Sequence, residues 1–148
     1  MPTTFFGSFF NSTKQDKTHA AEMAKALVVQ QIYVAIFAHE NWKHRFLTFV
    51  EGASKEVFTA EQVYFADRTE LGQWIQTVGK GKFNAFTEYA LLVEHHKMFH
   101  YAAANAVSLI EAGKHQDASH MLTGAFESFS DAIIAGLLKL REKIEAIR

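Results

Sequence analysis

Cysteine is missing from all 148 residues, which excludes disulfides, iron–sulfur ligation and thiol redox chemistry and fits a reducing, cytoplasmic compartment. Proline occurs once, at Pro2, so the commonest helix breaker is absent from the interior. Neither sign of charge dominates: 15 Lys and Arg stand against 16 Asp and Glu, for a formal net charge of −1. That balance gives no case for nucleic acid or an anionic membrane as partner, and no run of like charges marks a tail. The apolar stretch Ala26 to Ala38 is interrupted by Gln30 and Gln31 and is too short to cross a bilayer, so no membrane span is expected.

What is present is apolar bulk: 49% of the residues are hydrophobic, enough for one globular domain with a sizeable core. Residues 1–17 carry Phe5, Phe6, Phe9 and Phe10 and form an N-terminal aromatic segment, expected to pack on the domain or on a second subunit. Residues 18–148 read as a single helical domain. A first helix is expected from about Thr18 to Val50, left at Gly52. Its inward stripe is Ile32, His39 and Phe46, with Val28, Ala35, Trp42 and Phe49 beside it. Because Ala26 to Ala38 is apolar nearly all round, burial on several sides is expected, and with it a homodimer.

A capping box, Thr59 to Gln62, opens a short helix. A break is expected near Ala66, where Asp67 and Glu70 have the spacing of a second cap. The next helical piece is expected to stop at Gly79-Lys80-Gly81. A long helix follows from about Asn84 to Ala112, ended by Gly113, and a last one from about Asp117 to Ile147 on the stripe Leu122, Phe126, Phe129, Ile133, Leu137, Leu140, Ile144. The fold class is therefore all-α, an antiparallel four-helix bundle with a broken second helix.

Two series spaced by seven define the inward seam of the third long helix: Phe86, Val93, His100, Val107 and Tyr89, His96, Ala103, Ile110. His96 and His100, four residues apart, lie one above the other on it. Imidazoles at core positions leave polar nitrogens to satisfy away from water, and a metal ion satisfies them well. With His39 they make the candidate ligand set. The carboxylate pattern of di-iron bundles, Glu-x-x-His on inward stripes, is absent: Glu40/His44 and Glu111/His115 have the wrong spacing. His19, His44, His115 and His120 fall off the stripes, and His95 is kept only as a spare ligand.

His39-Glu40-Asn41-Trp42, Thr69-Glu70-Leu71-Gly72-Gln73-Trp74 and His96-Lys97-Met98-Phe99-His100, in that order, resemble the motifs of the bacterial chemoreceptor zinc-binding (CZB) domain over about Val29 to Leu140. The resemblance implies a helical bundle holding one zinc ion per chain through His39, His96 and His100. The family's fourth ligand is a cysteine at the position filled here by Thr69, so redox sensing through the site is expected to be lost. Water is the first choice for the fourth position, with Glu70 and Asp67 the nearby carboxylates and Thr69 itself a poor ligand.

The resemblance implies a sensory or regulatory domain acting through helix packing, dimer contacts or a signalling protein partner. With no room here for the output region to which such domains are usually attached, either a free-standing member or a fragment of something longer is expected. Copper or another transition metal is an alternative to zinc. A helical dimerisation scaffold whose histidines hydrogen-bond within the core is the alternative function. A hydrolytic enzyme using three His and a zinc-bound water ranks last, because a catalytic site also needs a substrate pocket and groups that orient the ligands.

Overall fold

The computed structural model describes the backbone of residues 5–147 and the side chains of residues 13–147; within them the chain is all-helical, with no strand. The side chains of Phe5, Phe6, Phe9 and Phe10, and with them the expected packing of the aromatic segment, lie outside the described residues. Helix α1 runs over Phe5–Val50, beginning well before the expected Thr18. The polar residues before Thr18 do not cap a new helix: Thr18 Oγ1 donates back to the Lys14 carbonyl at 2.9 Å, a bond made inside a helix. The exit is as expected. Gly52 takes φ 76°, and the Ala53 N–H reaches the Thr48 carbonyl at 3.1 Å, closing the last turn in the left-handed manner that glycine allows.

Helix α2 (Ala60–Tyr64) opens with the predicted capping box, Thr59 accepting from the Gln62 N–H at 3.2 Å and Gln62 Oε1 accepting from the Thr59 N–H at 3.4 Å. A 3₁₀ turn at Ala66–Arg68 leads to α3 (Glu70–Trp74). The cap of α3 is Thr69, whose hydroxyl accepts from the Gly72 N–H at 3.0 Å; Asp67, the expected cap, lies inside the 3₁₀ turn. The predicted stop at Gly79-Lys80-Gly81 does not occur. A π-helical stretch, Ile75–Gly79, passes into α4 (Lys80–Phe83) with Gly79 in right-handed helical conformation, and helix α5 (Thr87–Glu111) starts after Phe86.

Gly113, at φ 76°, ends α5 as expected. The last helical region is two helices rather than one, α6 (His115–Thr123) and α7 (Ala125–Glu145), because Gly124 leaves the helical region at φ −102°, ψ −100°.

Helix α5 packs on α7, α6 and α2, while α1 packs on α7 and α3. The core they share contains Ile32, Phe46, Leu92, Phe99, Phe126, Ile133, Leu137 and Leu140, all fully buried. Burial of each such side chain contributes roughly 1.5–3 kcal/mol relative to exposure. Phe99 and Phe126 stack at 4.5 Å and Phe46 meets Phe126 at 5.6 Å, joining α5, α7 and α1 in one aromatic cluster.

One face of α1 is left uncovered. Met23, Leu27, Val34 and Phe37 are 61, 55, 58 and 72% exposed and follow the four-and-three spacing of a coiled-coil seam, with Gln30 completing it. Two helical stretches, Thr13–Val50 and His115–Glu145, are long enough and contain an 18-residue window apolar enough to cross a membrane, at a mean hydropathy of 1.3 in each window. Length and hydropathy alone are weak evidence, since core helices of soluble proteins meet the same criterion. The expectation of no span rested on Ala26 to Ala38 alone, whereas α1 continues beyond it in both directions.

Candidate metal centre

The three histidines singled out by the stripes are among the few buried polar residues: His39 is 3%, His96 4% and His100 1% exposed. Helix α1 supplies the first and α5 the other two. One helical turn apart on α5, His96 and His100 set their rings at 4.7 Å, nearly perpendicular. The Phe99 ring lies between the two helices, 4.7 Å from His39 and 5.2 Å from His100. Trp42 covers His100 from the α1 side at 4.7 Å. Trp74 packs on Phe83 at 6.2 Å, and its buried indole N–H has no hydrogen-bond partner among the described residues.

Burial in this aromatic shell penalises the imidazolium form and holds all three rings neutral. His39 is pushed down to about 4, chiefly by burial and then by the charges of His100 and Lys43. His96 falls to about 2, from burial first and then from repulsion by His100 and His39. His100 falls to about 4 through burial, opposed by its bond to the Val63 carbonyl. The neutral form is the one that ligates metal.

Each ring is held by one hydrogen bond. His100 Nδ1 lies 2.9 Å from the Val63 carbonyl, which can only accept, so Nδ1 carries the proton and Nε2 keeps its lone pair. This carbonyl-oriented imidazole is the usual state of a metal-ligating histidine. His39 Nε2 meets Ser130 Oγ on α7 at 2.9 Å, and Ser130 is itself fully buried. His96 Nε2 meets Thr69 Oγ1 at 3.4 Å; that hydroxyl also caps α3 and lies 2.9 Å from the Ala66 carbonyl.

The donor set fits a transition metal that accepts imidazole, since three buried neutral rings, one with its tautomer fixed, are supplied by two helices. The present arrangement is not a finished cage. Among the described residues no group of three or more His, Asp or Glu side chains is arranged to hold a metal ion as it stands. Nε2 of His39 and of His96 each faces a hydroxyl and would exchange that partner for the ion. Thr69 is brought to His96. The carboxylates of Asp67 and Glu70 are on exposed residues, and among the described residues neither bonds to a histidine. Glu70 adds to the field that raises Arg45. His95 stays off the site, 6.2 Å from the Phe129 ring.

Ser130 and the Val63 carbonyl were not foreseen. Ser130 stands four residues after Phe126 and three before Ile133, so it is a polar member of the apolar stripe of α7, and that interruption was its only signal. Set against family models, curated proteins and solved structures, the chain matches none. The chemistry of the centre rests on its own residues.

Proposed function

We propose that the chain is a metal-binding sensory or regulatory domain of CZB type, holding one zinc ion, or copper in its place, through His39, His96 and His100. The observation that carries the reading is three buried, neutral imidazoles from α1 and α5, with His100 Nε2 left free by the Val63 carbonyl. Zinc bound there would tie α1 to α5 and stabilise one packing of the two. The chain's own groups orient the rings: Val63 sets the His100 tautomer, and Trp42 and Phe99 keep water off it. In this reading α1, α5 and the α6–α7 pair are three rods of an antiparallel four-helix bundle, and α2 to α4 form its broken second helix.

Output is by binding, not catalysis. Metal occupancy alters helix packing, and a second copy docked on the Met23–Phe37 seam, or a signalling protein, reads the change. The protein acts in the cytoplasm, with the apolar face of α1 covered by its partner rather than by lipid. Joint His96→Ala and His100→Ala substitution should abolish zinc binding in a competition titration while leaving far-UV circular dichroism helical. Unchanged zinc affinity in a folded double variant would overturn the reading.

A second reading has its own support. Because His39 pairs with Ser130 and His96 with Thr69, the imidazoles have partners without metal, as in a dimerisation scaffold. That scaffold would be indifferent to chelators.

A further inference from the structure

Beside the histidine centre a cleft of about 530 Å³ opens between the 3₁₀ turn, the π-helical stretch and α5, with His96 in its lining. Its volume lies in the range of small-molecule sites. The lining is rich in aromatics: Tyr64 and Tyr101 stack at 4.9 Å, Phe65 meets Tyr64 edge-on at 5.3 Å, and Tyr89 also lines the cleft. Tyr64, Phe65 and Tyr101 are 48, 37 and 39% exposed, an unusual concentration of open aromatic surface at one mouth.

The lining includes two cations, Lys80 and Lys97, and one carboxylate, Asp67. Lys43 and Lys143 are ion-paired, whereas neither Lys80 nor Lys97 has an ion pair among the described residues. The Asp67 backbone carbonyl is taken by Gln73, and its carboxylate has no ion pair either. Tyr89 gives its hydroxyl proton to the Ile75 carbonyl at 2.8 Å, which fixes that ring in the wall. Gly72, also in the lining, holds the 3₁₀ turn close, since a Cβ there would lie 2.1 Å from the Ala66 carbonyl oxygen.

We propose that this cleft binds a small aromatic carboxylate, its ring held among Tyr64, Tyr89 and Tyr101 and its carboxylate met by Lys80 and Lys97. Flat aromatic walls favour a π-system, and two unpaired ammonium groups against a single carboxylate favour one negative charge. Asp67 accepts a hydrogen bond from a ring hydroxyl and penalises a second anionic group. Because the buried His96 belongs to the lining, a ligand seated there adjoins the histidine centre. The cleft is built without the metal, so the proposal stands or falls apart from zinc binding.

The test is an NMR titration of the full chain with benzoate and 4-hydroxybenzoate, run with and without a strong chelator. Benzyl alcohol and acetate serve as the neutral-ring and ringless controls. Saturable binding with Kd on the order of 1 mM, tighter for 4-hydroxybenzoate and at least tenfold weaker for both controls, is expected for ligands of this size. Lys80→Ala with Lys97→Ala, at exposed positions that leave the core intact, should weaken 4-hydroxybenzoate by roughly tenfold or more without changing the helical circular dichroism. Equal binding of benzyl alcohol, an unaffected double-lysine variant, or no saturation by either benzoate would overturn the proposal.

Discussion

Thr69→Cys perturbs a side chain that both caps α3 and faces His96. Thr69 Oγ1 caps α3 through the Gly72 N–H at 3.0 Å, lies 2.9 Å from the Ala66 carbonyl, and reaches His96 Nε2 at 3.4 Å. A thiol is a weak acceptor, so the variant loses most of the cap, about 1 kcal/mol. For a chain of this length that lowers the metal-free Tm by about 2–4 °C. With zinc the sign reverses. A thiolate beside His96 supplies a fourth, charged ligand, and a hundredfold gain in affinity corresponds to about 2.7 kcal/mol. At zinc concentrations that saturate the variant, this gain exceeds the lost cap, and the variant becomes the more stable protein by roughly 1–2 kcal/mol. Zinc competition against a chromophoric chelator, with calorimetric melts before and after metal addition, gives both quantities. A variant that melts lower under both conditions and binds zinc no more tightly than the parent would refute convergence of residue 69 with the histidines.

In chelated protein, the buried imidazoles titrate near 4, 2 and 4 while the unfolded chain titrates near 6.5, so the unfolded state binds more protons between those limits. Stability is therefore fullest above about pH 6.5 and falls as pH drops toward 4, by about 2 kcal/mol per histidine at pH 5; urea midpoints at pH 7.5 and pH 5 check this, and equal midpoints contradict it. Gly72→Ala places a Cβ against backbone, 2.1 Å from the Ala66 oxygen and 2.9 Å from Asp67 Cα, and should cost on the order of 3 kcal/mol, read as a fall in Tm. Phe37→Glu puts a charge in the exposed seam of α1; sedimentation should show a dimer for the parent and a monomer of unchanged helicity for the variant, and identical sedimentation would remove the seam as an interface.

The helical class was legible because one proline and regular apolar spacing leave few alternatives. The burial of His39, His96 and His100 was legible because each falls on a stripe whose other members are apolar. The Thr59 capping box and the glycine exits at Gly52 and Gly113 carry their geometry in their residue types. Asp67 misled because a 3₁₀ turn shifts the register by two residues and hands the cap to Thr69. Gly79 and Gly81 look like a stop, but Gly79 stays in right-handed helical conformation, and a Cβ there would sit 3.1 Å from the Trp74 indole one turn earlier, so the small residue suits a crowded spot within a continuing helix. The Val63 carbonyl, which sets the His100 tautomer, is a backbone group that no side-chain pattern reports.

The central claim is that His39, His96 and His100 hold a metal ion, and it is met most directly by elemental mass spectrometry of untagged protein before and after dialysis against a strong chelator, with thermal unfolding followed in parallel. About one zinc per chain, and a lower Tm once it is removed, is the predicted result. Protein that carries no metal, gains no stability from added zinc or copper and melts the same after chelation would contradict it, leaving a helical scaffold whose histidines bind only Ser130, Thr69 and Val63.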